Sequence, residues 1–320
     1  MEEPLSSLLV CPACRSMLVW SIANRPKCST CATPFEFRDG VIALVANGTE
    51  AEWERTESKL RAYLRAEPDR EQALRTTPHD DLNPADLFFL SLLLEEEGRH
   101  AESESCAEMA VRGCYLPEYL AAVDAQLDFV ASRVCGLDAT VVDVASGRGA
   151  LVRRLLSNPP ATFVASDLSP LVLRHMRSRF EAARIGPQPV FVAFDAAAIP
   201  FADKGVDVVT THLGLTNLPD PSSALLELRR VTRGRLFAVC HFVADDDANL
   251  SALRGMTDLS MFTAHGCLDA FRRAGWDATL EHEVRAPAAP TPVGELIEGA
   301  RIDEFPLIET ELNWCVLSAT

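Results

Sequence analysis

From Gly136 to the end of the chain, short β-branched runs alternate with helical stretches, the pattern of a parallel sheet covered by helices. The runs fall at Thr140 to Val144, Thr162 to Ser166, Pro189 to Phe194, Val206 to His212, Leu236 to Phe242, Thr279 to Val284 and Trp314 to Ser318. Helices are expected near residues 149–157, 169–184, 221–232 and 265–274. The pattern predicts an α/β, doubly wound, mostly parallel seven-stranded sheet over residues 136–320.

The rest of the chain divides in two. Cys11-Pro12-Ala13-Cys14 and Cys28-Ser29-Thr30-Cys31 are two C-x-x-C knuckles in a segment of short apolar runs and turn formers. Each knuckle places two thiolates on one tight turn, and two knuckles close a tetrahedron around zinc. Four protein thiolates leave no open position for water or substrate, so Zn2+ at Cys11, Cys14, Cys28 and Cys31 is expected to be structural. Residues 1–48 are assigned to this four-cysteine zinc ribbon. Residues 49–135 turn helical and charged. Asn83-Pro84 with Asp86 marks a helix start, Gly98 a stop, and Leu87 to Leu94 a buried helix. Leu120, Val123, Leu127, Val130 and Val134 recur at helical spacing after Pro117.

Charge and composition narrow the partners. The 320 residues carry a formal charge of -16, with 30 Lys+Arg against 46 Asp+Glu. Residues 1–48 sum to 0, residues 49–135 to -10 and residues 136–320 to -6. Such a balance disfavours nucleic acid, whose binding rests on neutralising phosphates. The longest apolar run is far short of the ~20 residues that span a bilayer. Met1-Glu2-Glu3 lacks the basic and apolar regions of a signal peptide, so a cytoplasmic, reducing setting is expected, with no membrane partner. Homo-oligomerisation is left open.

In doubly wound sheets ligands bind beyond the carboxyl ends of the strands. The first strand runs into Asp143-Val144-Ala145-Ser146-Gly147-Arg148-Gly149, a small-residue turn entering a helix, where Gly147 and Gly149 allow close backbone approach. The second ends in Asp167, placed to hold two ribose hydroxyls or, alternatively, to cap the next helix. The third ends in Asp195-Ala196. A dinucleotide would call for a third glycine near position 152, which is Val152. S-adenosylmethionine carries an ammonium and a sulfonium and no phosphate, and acidic strand ends suit that charge better.

The segments Val141 to Gly149, Ser166-Asp167-Leu168-Ser169, Phe194-Asp195-Ala196 through Phe201, and Val206-Asp207-Val208-Val209 resemble the successive motifs of class I S-adenosylmethionine-dependent methyltransferases. The resemblance covers roughly residues 136–320 and implies a Rossmann-like fold. It also implies cofactor contacts from Asp143, Ala145, Ser146, Gly147 and Gly149 to the methionine moiety, from Asp167 and Leu168 at the ribose, from Asp195 and Ala196 to the adenine edge, and from His212. Ala145 departs from the family's usual glycine. The first fifty residues, through Phe35 to Leu44, resemble the zinc-ribbon activators of tRNA and release-factor methyltransferases and the ribbon of rRNA guanine-N1 methyltransferases. There such a ribbon serves substrate recognition or partner support.

For the transfer itself, holding the acceptor against the methyl group is the main task, and a base is optional. His212 and His241 stand at the fourth and fifth strand ends as candidate catalytic bases or, equally, as packing residues. Asn217 is a further polar candidate that could instead close a turn. The acidic helical segment is the candidate lid, with Phe88, Phe89, Tyr63, Tyr115 and Tyr119 as acceptor-lining or core residues. Three readings stand in order: a small-molecule methyltransferase, an rRNA or tRNA base methyltransferase, and a non-catalytic scaffold that keeps the cofactor fold and binds a protein partner through the ribbon.

Overall fold

All seven expected strands form, and two more join them, so the main sheet has nine strands and the expectation of seven is corrected. The structure is a computed structural model that describes residues 7–20, 25–45, 52–254 and 258–320. Met1-Glu2-Glu3 and the expected boundary between residues 48 and 49 lie outside the described residues.

The strands are β1 (Leu18–Trp20), β2 (Pro26–Cys28), β3 (Glu36–Arg38), β4 (Val41–Ala43), β5 (Thr140–Asp143), β6 (Thr162–Asp167), β7 (Val190–Ala193), β8 (Val206–His212), β9 (Thr232–Phe242), β10 (Ala278–Ala288) and β11 (Thr310–Ala319). β1 and β2 pair separately, and the large sheet runs β10-β11-β9-β8-β5-β6-β7-β4-β3. It is mixed: the central strands are parallel, while β11 runs antiparallel to both its neighbours.

The two additional strands come from residues 36–43, within the segment expected to form a ribbon. β3 and β4 close a hairpin through Asp39-Gly40, whose φ values of 49° and 77° suit a two-residue turn matching strand twist. β4 lies parallel to β7, with Val41 opposite Phe191 and Ala43 opposite Ala193, and all three of its residues are buried. The physical reason for the extra strands is in that burial. Val41-Ile42-Ala43 is apolar on both faces, as a strand covered on both sides must be, and it satisfies the otherwise open edge of β7. The segment just before the first knuckle is tied to the connection between β7 and β8, Val10 N–H donating to Pro200 O at 2.9 Å and Ala202 N–H to Leu8 O at 3.0 Å.

The α-helices described between β4 and β5 are α1 (Glu52–Ala66), α2 (Pro68–Thr76), α3 (Pro84–Glu96), α4 (His100–Cys114) and α5 (Pro117–Val134). Asn83 caps α3 by accepting from Ala85 N–H at 2.9 Å, and Gly98, with φ 75°, follows its end. Leu87 to Leu94 are buried on every side, which makes α3 the centre of a core shared with Leu60, Leu64, Leu74, Cys106 and Ala110. The α5 stripe faces the sheet, with Leu127, Val130 and Val134 buried. The remaining helices are α6 (Ala150–Leu155), α7 (Pro170–Ala182), α8 (Pro221–Val231), α9 (Ala248–Leu253) and α10 (Ala264–Arg273). Among the described residues, no helix is long and apolar enough to cross a membrane.

Candidate active site

The chain leaves β5 for β6 on one side and later returns to β8 on the other, so the strand order reverses between β5 and β8. Crevices in open α/β sheets form at that reversal, beyond the carboxyl ends. Asp143 ends β5 at that reversal and is 1% exposed. Its carboxylate accepts from Ser146 Oγ and Thr210 Oγ1, each at 2.6 Å, which braces the turn that follows. Burial pushes Asp143 up to about 6, against the pull of those two hydroxyls.

The turn is tightly wound. Ala145, Gly147 and Gly149 have φ of 53°, 52° and 82°. Nothing lies within 4 Å of where a Cβ on Gly147 would stand, so the backbone there faces open space. Asp167, at the end of β6, accepts from Gly147 N–H and Ser169 N–H, each at 3.0 Å, and burial raises its carboxyl above the usual range. Leu168 follows it, and Asp195 and Ala196 follow β7, with Asp195 accepting from Ala197 N–H at 2.8 Å. Asp143 and Asp167 thus stand at the carboxyl ends of adjacent parallel strands, and Asp195 just beyond the end of the next one.

His212 ends β8 and lies opposite Val239, two residues before His241 on β9, so both histidines are on one face. Burial pushes both imidazoles down to about 4, with His212 adding to the effect on His241. His212 Nε2, His241 Nδ1 and Trp314 Nε1 are buried and have no hydrogen-bond partner among the described residues. Rings pack on His241 and Trp314: Phe305 stacks on His241 at 5.6 Å, Trp314 lies 4.9 Å from it, and Tyr119 meets Trp314 edge-on at 5.0 Å. Tyr115 stacks on Tyr119 and donates its hydroxyl to Asp303. Of the other candidates, Phe88 and Phe89 are core, Tyr63 donates to Leu296 O, and Asn217 closes a turn onto Leu213 O.

Sequence reasoning missed several residues here. Glu54 of α1 accepts from Ser169 Oγ at 2.7 Å beside Asp167. Trp314, Asp303 and Phe305 arrive from the far end of the chain, and no local signal links them to His241. Apart from these residues, the sulfurs of Cys11, Cys14, Cys28 and Cys31 lie within 4.8 Å of one another and could hold a metal ion. Cys11 is pushed up to about 12 by burial, while Cys14 is lowered by its Ser16 partner.

Residues 142–240 match the family model for a methyltransferase domain. The methyltransferase domain so delimited runs from β5 through the first nine residues of β9 and contains Asp143, Asp167, Asp195 and His212. It lies on a Rossmann-like α/β fold with a mixed sheet. Curated relatives include the ubiquinone/menaquinone biosynthesis C-methyltransferase UbiE of Dinoroseobacter shibae, 36% identical over 119 residues, covering 36% of this chain and 46% of that protein. The protein of the same name from Roseobacter denitrificans is 37% identical over 121 residues, with the same coverage. The chain therefore spans less than half the length of these relatives. Among solved structures, the YcgJ protein of Bacillus subtilis aligns at a TM-score of 0.47 and 15% identity, over 61% of this chain and 97% of that one. The four-cysteine segment has no zinc-ribbon family match.

Proposed function

We propose that this chain transfers a methyl group from S-adenosylmethionine to a small-molecule acceptor held beyond the carboxyl ends of β8 and β9. The observation that carries this is that Asp143, Asp167 and Asp195 stand at or just beyond the carboxyl ends of three adjacent parallel strands, within a segment that matches a methyltransferase domain. The residues fit the cofactor: Gly147 faces open space at the mouth of the turn, and the carboxylates suit a ligand bearing two positive charges. S-adenosylmethionine supplies an electrophilic methyl group on a sulfonium. Asp167 with Leu168 holds the ribose, Asp195 and Ala196 border the adenine, and the turn of Ala145, Ser146, Gly147 and Gly149 receives the methionine moiety. Asp143 acts through the turn, since both its oxygens are engaged by Ser146 and Thr210.

His212 and His241 face the acceptor as neutral imidazoles near pH 7, able to orient an acceptor hydrogen or take up a proton from it. The names of the UbiE relatives, C-methyltransferases of a small-molecule pathway, support a small-molecule acceptor. Residues 49–135 act as the lid, joined by residues 289–309, whose Glu295 and Leu296 carbonyls accept from Arg70. Residues 1–48 form a ribbon whose four thiolates hold a structural Zn2+, and residues 136–320 form the catalytic unit.

The test is incubation with methyl-labelled S-adenosylmethionine and a cell extract separated into RNA, protein and small-molecule pools. Label in the small-molecule pool is expected. Label confined to RNA would reject the reading in favour of a base methyltransferase, and failure to bind S-adenosylhomocysteine by calorimetry would favour a non-catalytic scaffold.

A further inference from the structure

Helix α3 is apolar almost throughout, yet it carries a buried carboxylate near each end: Asp86 is 1% exposed and Glu95 4%. Nine residues separate them, about 13–14 Å at the helical rise. The two carboxylates hold different walls of the proposed active site.

At the first end, Asp86 accepts three successive backbone N–H groups, from Glu295 at 2.9 Å, Leu296 at 3.0 Å and Ile297 at 2.9 Å. These amides belong to the connection between β10 and β11. Farther along, that connection is crossed by Thr291 Oγ1 donating to Asp303 O, and it carries Asp303 to Tyr115 and Phe305 onto His241. Asp86 therefore holds the cover on the acceptor side.

At the second end, Glu95 pairs with Arg179 at 2.6 Å and with Arg148 at 3.5 Å. Arg148 belongs to the glycine turn itself, and Arg179 Nη2 donates to the Arg148 carbonyl at 3.1 Å. Glu95 therefore holds the cofactor turn. A packing helix gains nothing from such groups, because an apolar residue of similar volume is often as stabilising as a buried ion pair. What buried carboxylates add is fixed position: either one, pulled from its partners, would be left as an uncompensated buried charge.

We propose that Asp86 and Glu95 are positioning residues, and that α3 transmits occupancy of the cofactor crevice to the acceptor cover, ordering residues 289–309 when the cofactor binds. The helix is buried all round and both ends are engaged, so a shift of the Arg148 turn moves it as a unit. The inference rests on the cofactor reading above.

Hydrogen exchange on the full chain, with and without S-adenosylhomocysteine, tests it. Ligand is expected to slow exchange at the Glu295, Leu296 and Ile297 amides several-fold. Glu95→Gln should still bind the ligand, with affinity within about tenfold, while those amides no longer respond. Asp86→Asn should weaken affinity by no more than the several-fold coupling it removes, and leave the three amides fast in both states. Ligand binding with no response at the wild-type amides overturns the coupling alone, as does an undiminished response in Glu95→Gln. Should Glu95→Gln not fold, the wild-type comparison and Glu95→Asp, which keeps the charge and shortens its reach, decide the matter. Absence of any binding to the wild type removes the cofactor reading and this inference with it.

Discussion

Ala145 occupies left-handed backbone, φ 53°, a conformation that costs a non-glycine residue about 1 kcal/mol or more. Its methyl group is accommodated because Gly214 faces it. A Cβ on Gly214 would stand 2.9 Å from Ala145 Cβ and 2.3 Å from Thr211 Oγ1. Gly214→Ala is therefore expected to destabilise the fold by about 1–3 kcal/mol, whereas Ala145→Gly should change it by less than about 1 kcal/mol, both read from thermal melts. Equal effects would contradict the pairing. Position 145 was legible in the sequence as a departure from the resembling family, but its compensation was not, since Gly214 lies on another strand end. Asp167→Ala should weaken S-adenosylhomocysteine binding by calorimetry with the circular dichroism spectrum kept, and unchanged affinity would count against its ribose role.

The histidines carry a pH signature. Each imidazole is held near 4 in the fold against about 6.5 when free, so the unfolded chain takes up protons first as pH falls. Their contribution is complete above pH 6.5 and is lost as pH drops toward 4, by about 3 kcal/mol per histidine at most. Asp143 works in the opposite sense. Raised from 3.8 to about 6, its contribution is complete below pH 3.8 and is lost as pH rises through 6. Urea unfolding at pH 7.5 and pH 5 should show a shallower acid loss in His241→Asn than in the wild type, and identical losses would remove His241 from the account.

Among the elements, those with local punctuation were legible. Asn83, Pro84 and Gly98 mark α3 to within a residue or two, and the seven strands of residues 136–320 form where β-branched runs predicted them. What escaped was pairing at a distance: Val41-Ile42-Ala43 looks like part of a self-contained ribbon until β7 offers its edge. The acids that give residues 49–135 their net charge of -10 do not all face solvent: several face arginines of the sheet unit, Glu95 with Arg148 and Arg179, Glu104 with Arg153, and Asp124 and Asp128 with Arg154. The cysteine knuckles make a sharper forecast. Cys11→Ser is expected to lower bound zinc and to raise the thiol reactivity of Cys14, Cys28 and Cys31, and full occupancy would contradict a four-thiolate site.

At the scale of the whole molecule, three cores share one scaffold: one on each face of the sheet and one inside the helical unit, which Ile297 joins from the other end of the chain. The outermost strand pair comes from residues 36–43, yet its parallel partner is residues 190–193. Loop closure of that length is entropically slow, so these earliest residues must wait for much of the chain before they find their place. A protein shortened by its first 45 residues would leave β7 as a naked border of unpaired amides and carbonyls, inviting other copies to add themselves there. Such a truncated chain is expected to precipitate where the full one stays dispersed, as light scattering on warming would show.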